Sequence, residues 1–175
     1  VPGIHFAGTI GQGAKGLMRH GIPSNSGAVH GARYNARILA QRIAAAHFGY
    51  VAPRPGVAAG DVVDLLAREL AEAPELFHQR GYLARVLTMD PAAGLVDDGV
   101  QPLAHVLDSG RDDVIAATLE ADGTGAIYPV VYVRRDGSLR EHVLEPDPML
   151  RYDGPAARRA IAAAARPLVP DIAPD

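Results

Sequence analysis

Residues 114–144, VIAATLEADGTGAIYPVVYVRRDGSLREHVL, are the stretch that decides the fold of this chain. Three β-rich runs, at 114–120, 126–135 and 139–144, are separated by Asp-Gly-Thr-Gly and by Asp-Gly. An Asp-Gly pair between β-rich runs is the strongest short-range signal of a hairpin. The stretch therefore predicts a three-stranded antiparallel meander, in which Pro129 places the second strand at an edge or at a bulge.

Apolar residues at helical spacing precede the meander. Residues 50–60 are rich in Pro, Gly and Ala and are interpreted as a linker. Asp61 is expected to cap one helix, and Pro74 is expected to open a second helix that carries Leu83 and Leu87.

Two further segments complete the part of the chain that follows the linker. Residues 90–112 predict loops, with a short segment at 103–107. An Ala-rich run at 155–166 predicts a closing helix. Residues 61–175 are therefore expected to form an α+β unit, in which helices precede the meander along the chain and one closing helix follows it.

The first fifty residues combine a short strand, a glycine-rich loop and a long helix. Residues 4–8, Ile-His-Phe-Ala-Gly, predict a buried strand that ends in glycine, and the Gly and Pro residues of 9–27 keep that segment irregular. Good N-caps at 24–26 precede apolar residues at helical spacing, and Gly49 and Pro53 end the helix.

Composition excludes several classes of protein. The chain has 175 residues, of which 48% are hydrophobic and 21% charged, an ordinary globular mixture. Its net charge of −3 provides no basic field for nucleic acid, and the absence of Cys excludes disulfide frameworks and thiol catalysis. The histidines lack H-x-x-x-H and H-E-x-x-H spacing, so no metal site is predicted. No apolar run approaches the roughly 20 residues that span a bilayer, so a cytoplasmic protein without membrane contact is expected.

A glycine motif in the N-terminal loop does not mark a dinucleotide site. Residues 11–16, GQGAKG, match G-x-G-x-x-G, but that motif must open a helix whose N-terminus meets a pyrophosphate. Gly21 and Pro23 stop any helix within two turns. A phosphate-binding loop of the Walker A type also fails, because Ala14 stands where the lysine is required.

The whole unit of strand, loop and helix resembles the C-terminal end of an FAD-binding domain. The family it resembles is that of two-dinucleotide-binding-domain flavoproteins, which includes flavin monooxygenases and thioredoxin-reductase-like enzymes. The likeness is closest to FAD-dependent oxidoreductase-domain-containing proteins, where a strand reading F-x-G-T is followed by A-G-x-x-H-G-x-R-Y-x-x-R. The matching positions are Phe6, Gly8, Thr9, Gly27, His30, Gly31, Arg33, Tyr34 and Arg37. Residues 74–90 and 113–140 bear a more diffuse likeness to the family's C-terminal extension, most of it carried by 131–134 and 140–142.

The resemblance implies a fold, a domain division and a cofactor. Residues 1–49 would be the C-terminal strand, loop and helix of a Rossmann-like FAD-binding domain, and 50–60 would link it to the α+β extension 61–175. FAD is the implied cofactor, and NAD(P)H is the implied electron donor in the intact enzyme. The implied flavin neighbours are Gly8, Thr9, Asn25, Ser26, Gly27, Ala28, Val29 and His30. Many relatives carry Asp where this chain has Thr9, whose hydroxyl can still form a hydrogen bond but brings no charge.

The sequence assigns no catalytic residue, and His30 is the candidate to test. Its imidazole is expected one turn into the helix that faces the flavin, where it could donate or accept a proton. The competing interpretation is a structural hydrogen bond to the glycine loop. Arg33 and Arg37 share a helical stripe and are expected to meet either a cofactor phosphate or an acidic neighbour.

Two functions follow from these observations. The resemblance implies the C-terminal portion of an FAD-dependent, NAD(P)H-linked oxidoreductase that is inactive as this chain alone. Monooxygenation is the first reaction type it implies, and simple reductase or oxidase activity is the second. The alternative is a non-catalytic interaction or dimerisation module, or a split-enzyme subunit, that retains a remnant of a flavin-binding domain. The expected partners are an N-terminal FAD/NAD(P)-binding portion from the same or an adjacent gene product and a small-molecule substrate. Self-association into a homo-oligomer is left open.

Overall fold

The fold is built around one antiparallel sheet of five strands. A computed structural model describes residues 4–5 and 29–172. The strands are β1 (Leu83–Asp90), β2 (Gly94–Pro102), β3 (Val114–Ala121), β4 (Ile127–Arg135) and β5 (Ser138–Val143). The helices are α1 (Val29–Phe48), α2 (Val62–Glu72), α3 (Pro74–His78), α4 (Leu103–Asp108) and α5 (Pro155–Ala165), with a 3-10 turn at Ala59–Asp61. The spatial order of the strands is β2-β1-β3-β4-β5.

The predicted meander is confirmed as the part of the sheet formed by β3, β4 and β5. Asp136 and Gly137 connect β4 to β5 with φ angles of 52° and 74°, as a two-residue hairpin turn requires. Pro129 lies in β4, which is not an edge strand, so the edge expected from this proline is wrong for the strand as a whole. Pro129 nevertheless precedes the first β4 residue paired with β5, and its carbonyl accepts the Leu144 N–H at 2.9 Å. The missing N–H of Pro129 therefore costs no ladder bond there.

The helix predicted through Leu83 and Leu87 and the loops predicted over 90–112 are wrong. Helix α3 ends at His78, and Gly81, at φ 65°, turns the chain into β1. Strands β1 and β2 form a hairpin with a register shift between Val86 and Leu87. The sheet therefore has five strands rather than three. The short segment at 103–107 is confirmed as α4, and the closing helix is confirmed as α5.

The larger core lies between the sheet and helices α2, α3 and α5. Alternate residues of β1, β3 and β4 supply the sheet side of this core, and α2 packs against α5 above it. The fully buried members from the sheet are Leu83, Leu87, Ile115, Ala117, Leu119, Val131 and Val133. Asp61 precedes α2, but its side chain makes no capping hydrogen bond. The expected cap is therefore absent, and burial of one face of α2 holds the helix in place.

A second core lies on the other face of the sheet, beneath α4. The apolar residues Leu103, Val106 and Leu107 of α4 pack on the alternate residues of β1, β3 and β4. Buried Arg134 of β4 donates hydrogen bonds to the carbonyls of Val106 and Leu107 at the C-terminal half of this helix. A cation at a helix C-terminus satisfies free carbonyls and opposes the negative end of the helix dipole.

The N-terminal region is described only from α1 onward, apart from two residues. Ile4 and His5 are exposed and lie in no regular element, so the buried strand predicted at 4–8 is not formed by its first two residues. The rest of that strand and the predicted caps at 24–26 lie outside the described residues. Gly49, at φ 69°, ends α1 as predicted.

The segment after α1 is attached to the sheet edge. Gly56 forms a β-bridge with Val96 of β2, and the Val57 N–H donates to the Leu95 carbonyl at 2.8 Å. Among the described residues, none of the helices is long and apolar enough to cross a membrane.

We expect Leu66→Ala in α2 to lower the free energy of unfolding by about 2–5 kcal/mol, because Leu66 is fully buried and its loss leaves a cavity. Urea denaturation followed by circular dichroism measures this change. Met149→Ala, at a side chain that is 72% exposed, is the matched control and should change stability by less than about 0.5 kcal/mol. Equal effects of the two substitutions would contradict the placement of this core.

Candidate functional site

The structure places few of the residues that were predicted to contact a flavin. Gly8, Thr9, Asn25, Ser26, Gly27 and Ala28 lie outside the described residues. Val29 is the first residue of α1, and His30 follows it in the first turn with an exposed side chain. His30 and the side chains near it on α1 and α3 are therefore the described part of the candidate site.

Four aromatic side chains meet where α1 crosses α3, and we call His30, Tyr34, Phe77 and His78 the ring cluster. The His78 ring lies 5.8 Å from the His30 ring and 6.2 Å from the Tyr34 ring, centroid to centroid. The Tyr34 and His78 planes differ by 20°, so these two rings are stacked. Phe77 meets His78 edge-on at 5.4 Å. His78 is thus the centre of the cluster, although the sequence did not mark it as a candidate.

Two polar contacts fix α1 against α3. The Arg37 Nη2 donates to the Glu75 Oε1 at 2.9 Å, so one of the two expected partners of the arginine stripe, an acidic neighbour, is present. The Asn35 Nδ2 donates to the Gln79 Oε1 at 2.9 Å, and both of these residues are buried. The Asn35 Oδ1 is also buried and has no hydrogen-bond partner among the residues that the structure describes. A buried amide bond of this kind is worth more than the exposed ion pair, because water does not compete for it.

A cavity of about 350 Å³ opens beside the ring cluster. It is lined by His30, Arg33, Tyr34, Ala36 and Arg37. Positions 30, 33, 34 and 37 follow the spacing i, i+3, i+4 and i+7, which places them on one face of the helix. The Arg37 guanidinium lies 5.8 Å from the centre of the Tyr34 ring. The lining therefore combines two guanidinium groups, an imidazole and a phenol, a donor-rich set that suits an anionic ligand.

A separate network of acids and arginines joins β1 and β2. The Asp98 carboxylate accepts hydrogen bonds from Arg54, Arg111 and Thr88, the last at 2.6 Å. The Arg85 guanidinium pairs with Asp97 and with Glu69, the latter at 3.3 Å. Each of these acids is paired with an arginine. Through Glu69 and Arg54 the network connects the hairpin to α2 and to the segment after α1. It is a structural network, and its acids are not free to hold a substrate.

Burial and charge act on Glu69 in opposite directions. Burial raises the pKa of Glu69, and the Arg85 guanidinium opposes that rise. The direction of the pKa change shows that burial has the larger effect. Burial therefore disfavours the charged form of Glu69, and the ion pair with Arg85 offsets only part of that effect.

A buried acid lies on the second face of the sheet. The Tyr132 hydroxyl donates to the Glu120 Oε1 at 2.9 Å, and both residues are almost fully buried. Neither residue was a candidate from the sequence, because each occupies an ordinary alternating position in a strand. A glutamate in an otherwise apolar β-run was the one available signal.

The described residues contain no group of three or more His, Asp or Glu side chains that could hold a metal ion. Comparison of the chain with protein-family models, with curated proteins and with solved structures found no match.

We expect a double-mutant cycle on Asn35 and Gln79 to give a coupling energy of about 0.5–3 kcal/mol, because their hydrogen bond lies away from water. The variants are Asn35→Ala, Gln79→Ala and the double substitution, each measured by urea denaturation. The same cycle on the more exposed pair Arg37 and Glu75 is the control and should give about 0–1 kcal/mol. Strict additivity of the Asn35 and Gln79 substitutions would show that this bond does not hold α1 on α3.

Proposed function

We propose that this chain is the C-terminal portion of an FAD-dependent, NAD(P)H-linked oxidoreductase of the monooxygenase-like type. The observation that carries the proposal is the motif of residues 6–9 and 27–37, which resembles the end of a Rossmann-like FAD-binding domain. Its second half coincides with the first turns of α1, and the motif positions His30, Arg33, Tyr34 and Arg37 all lie on one face of that helix.

The start of α1 fits the group that the proposal requires. The first N–H groups of a helix have no partner within the helix, and its N-terminal end carries a partial positive charge. Residues 24–28, which precede the helix, read Ser-Asn-Ser-Gly-Ala and are small enough for a planar ring to approach the backbone. The exposed imidazole of His30 adds a hydrogen-bonding group in the first turn. This donor set suits an anionic ring edge.

FAD, when bound, would supply the redox chemistry, with NAD(P)H as electron donor. The backbone N–H groups from Asn25 to Val29 would stabilise negative charge on the pyrimidine edge of the ring. His30 would donate a hydrogen bond there or hold a proton at its imidazole, and the neighbouring His78 ring, tilted by 32° to it, would restrict its orientation. Gly8 and Thr9 would line the ribityl side of the same site.

A specific observation favours the second candidate function, an interaction or dimerisation module. The C-terminal end of α1 and the residues after it expose large apolar side chains. Phe48 is 81% exposed and Val51 is 84% exposed, and Tyr50 lies between them. Exposed apolar residues that are adjacent are typical of a surface that another protein covers.

The test of the proposal begins with the DNA upstream of the Val1 codon. We expect an in-frame or adjacent reading frame that encodes a strand followed by G-x-G-x-x-G. The product of that frame, expressed together with this chain, should copurify with bound FAD and show visible flavin absorbance. A complex that lacks flavin and does not oxidise NAD(P)H would contradict the proposal and favour the interaction module.

The 175-residue chain by itself should show no turnover of NAD(P)H and weak or no affinity for FAD, because the residues that would bind the pyrophosphate are not in it. Fluorescence quenching of FAD titrated with the purified chain measures the affinity. Sustained NAD(P)H oxidation by the chain alone would show that the cofactor site is complete within these residues.

We expect Gly27→Leu to abolish flavin binding in the assembled complex, because a leucine side chain would occupy the space where the ring approaches the helix start. Absorbance of the purified complex measures the flavin content. Gly123→Leu is the matched control, since a Cβ at Gly123 meets no atom within 4 Å and its φ is not positive. His30→Ala should retain flavin and change only turnover or its pH dependence. Full flavin content in the Gly27→Leu complex would place the cofactor elsewhere.

A further inference from the structure

The cavity-lining stripe of α1 carries positive charge that the described residues do not neutralise. Arg37 forms an ion pair with Glu75. Arg33 is exposed and forms no ion pair with any residue in the part of the chain that the structure describes. His30 stands one turn before Arg33 on the same face and is also exposed. The stripe therefore presents two guanidinium groups to a cavity of about 350 Å³. That of Arg37 is paired with a carboxylate, and that of Arg33 has no ion-pair partner among the described residues.

Glu75 orients the second guanidinium without consuming its donors. Among the described residues, Glu75 Oε1 accepts from one Arg37 nitrogen, Nη2, so the other N–H groups of that guanidinium have no described partner. The Arg37 guanidinium also lies 5.8 Å from the Tyr34 ring centre, a cation–π contact that restricts it further. A guanidinium held in this way loses less side-chain entropy when it binds an anion.

The surroundings of Tyr34 select the shape of the ligand. Its ring stacks on His78 and has the Arg37 guanidinium beside it. The face of Tyr34 that stacks on His78 is therefore closed to a planar ligand. A compact anion, in contrast, can meet Arg33, Arg37 and His30 through separate oxygen atoms.

We propose that His30, Arg33, Tyr34 and Arg37 form a binding site for the phosphate group of a phosphorylated small molecule. A phosphate monoester carries close to two negative charges and three acceptor oxygens, which matches two guanidinium groups and an imidazole. A carboxylate has one charge and two oxygens, so one guanidinium would satisfy it. This site shares His30 with the proposed flavin contacts, and Arg33 and Arg37 lie further along the helix. The phosphate titration below is carried out without flavin.

The first test is titration of the purified 175-residue chain with inorganic phosphate at constant ionic strength, followed by calorimetry. We expect saturable binding that is weakened about tenfold by Arg33→Gln, because a charge-assisted hydrogen bond is lost. Arg68→Gln is the matched control, at another exposed helical arginine outside the cavity, and should leave the affinity unchanged. Arg33 makes no ion pair with a described residue, so its substitution should leave the fold intact, which circular dichroism checks.

The site would be overturned by no saturable binding of phosphate, by equal affinities for the parent and Arg33→Gln, or by acetate binding as tightly as phosphate. A loss of affinity in Arg68→Gln equal to that in Arg33→Gln would also overturn it, since binding would then follow total charge. No flavin is present in this titration. Failure of the phosphate site therefore leaves the proposed oxidoreductase function standing, and failure of flavin binding leaves the phosphate site standing.

A second titration identifies the source of the phosphate. NADP⁺ and NAD⁺ differ by one phosphate monoester, so they form a matched pair of probes. Tighter binding of NADP⁺, lost in Arg33→Gln, would assign the site to the nicotinamide cofactor. Equal binding of the two dinucleotides, with binding of inorganic phosphate retained, would assign it to a phosphorylated substrate or to free phosphate. Either result supports a phosphate site at this stripe.

Discussion

The rest of the structure depends on the burial of strand β3. All eight residues of Val114–Ala121 are buried, and the strand pairs with β1 on one side and with β4 on the other. Apolar surface left in water costs about 25 cal/mol per Å², so both faces of this strand must be covered. Helices α2 and α5 cover one face, and α4 covers the other. The chain returns from β2 through α4 to begin β3 beside β1, which brings the second cover into place.

The sequence predicted those elements whose signals are local. An Asp-Gly pair marks the turn at Asp136 and Gly137, and a short run of alanines marks helix α5. Strand β1 was mistaken for helix because its residues are buried on both faces of the sheet, which removes the alternation that identifies a strand. Its hairpin with β2 also lacks Asp-Gly. The available signal was Asp90, whose carboxylate accepts the N–H groups of Ala92 and Ala93 in the turn and whose pKa those bonds lower.

The candidate site was predicted only as far as one helix reaches. The sequence placed Arg33 and Arg37 on one helical stripe and His30 in the first turn, and the structure brings these three and Tyr34 around one cavity. The groups from α3 could not be found in this way. Asn35 and Gln79 are 44 residues apart, and no short-range rule pairs them. His78 is the last residue of α3, and its contacts with His30 and Tyr34 join residues more than 40 positions apart, which helical spacing within α1 does not reveal.

Gln79 connects the candidate site to the sheet. Its side chain accepts a hydrogen bond from Asn35 of α1, while its carbonyl accepts the N–H groups of Tyr82 and Leu83 at 2.9 and 3.0 Å, where β1 begins. Gln79, which is fully buried, thus links α1 to β1, the strand that pairs with β3. Contacts between α1 and α3 involve residues 30 to 37, whereas the end of α1 at Phe48 is exposed. The first half of the helix, which carries the cavity, is consequently the half whose backbone position is fixed by contacts with the core. A ligand of the kind proposed above would therefore meet a helix already held in place.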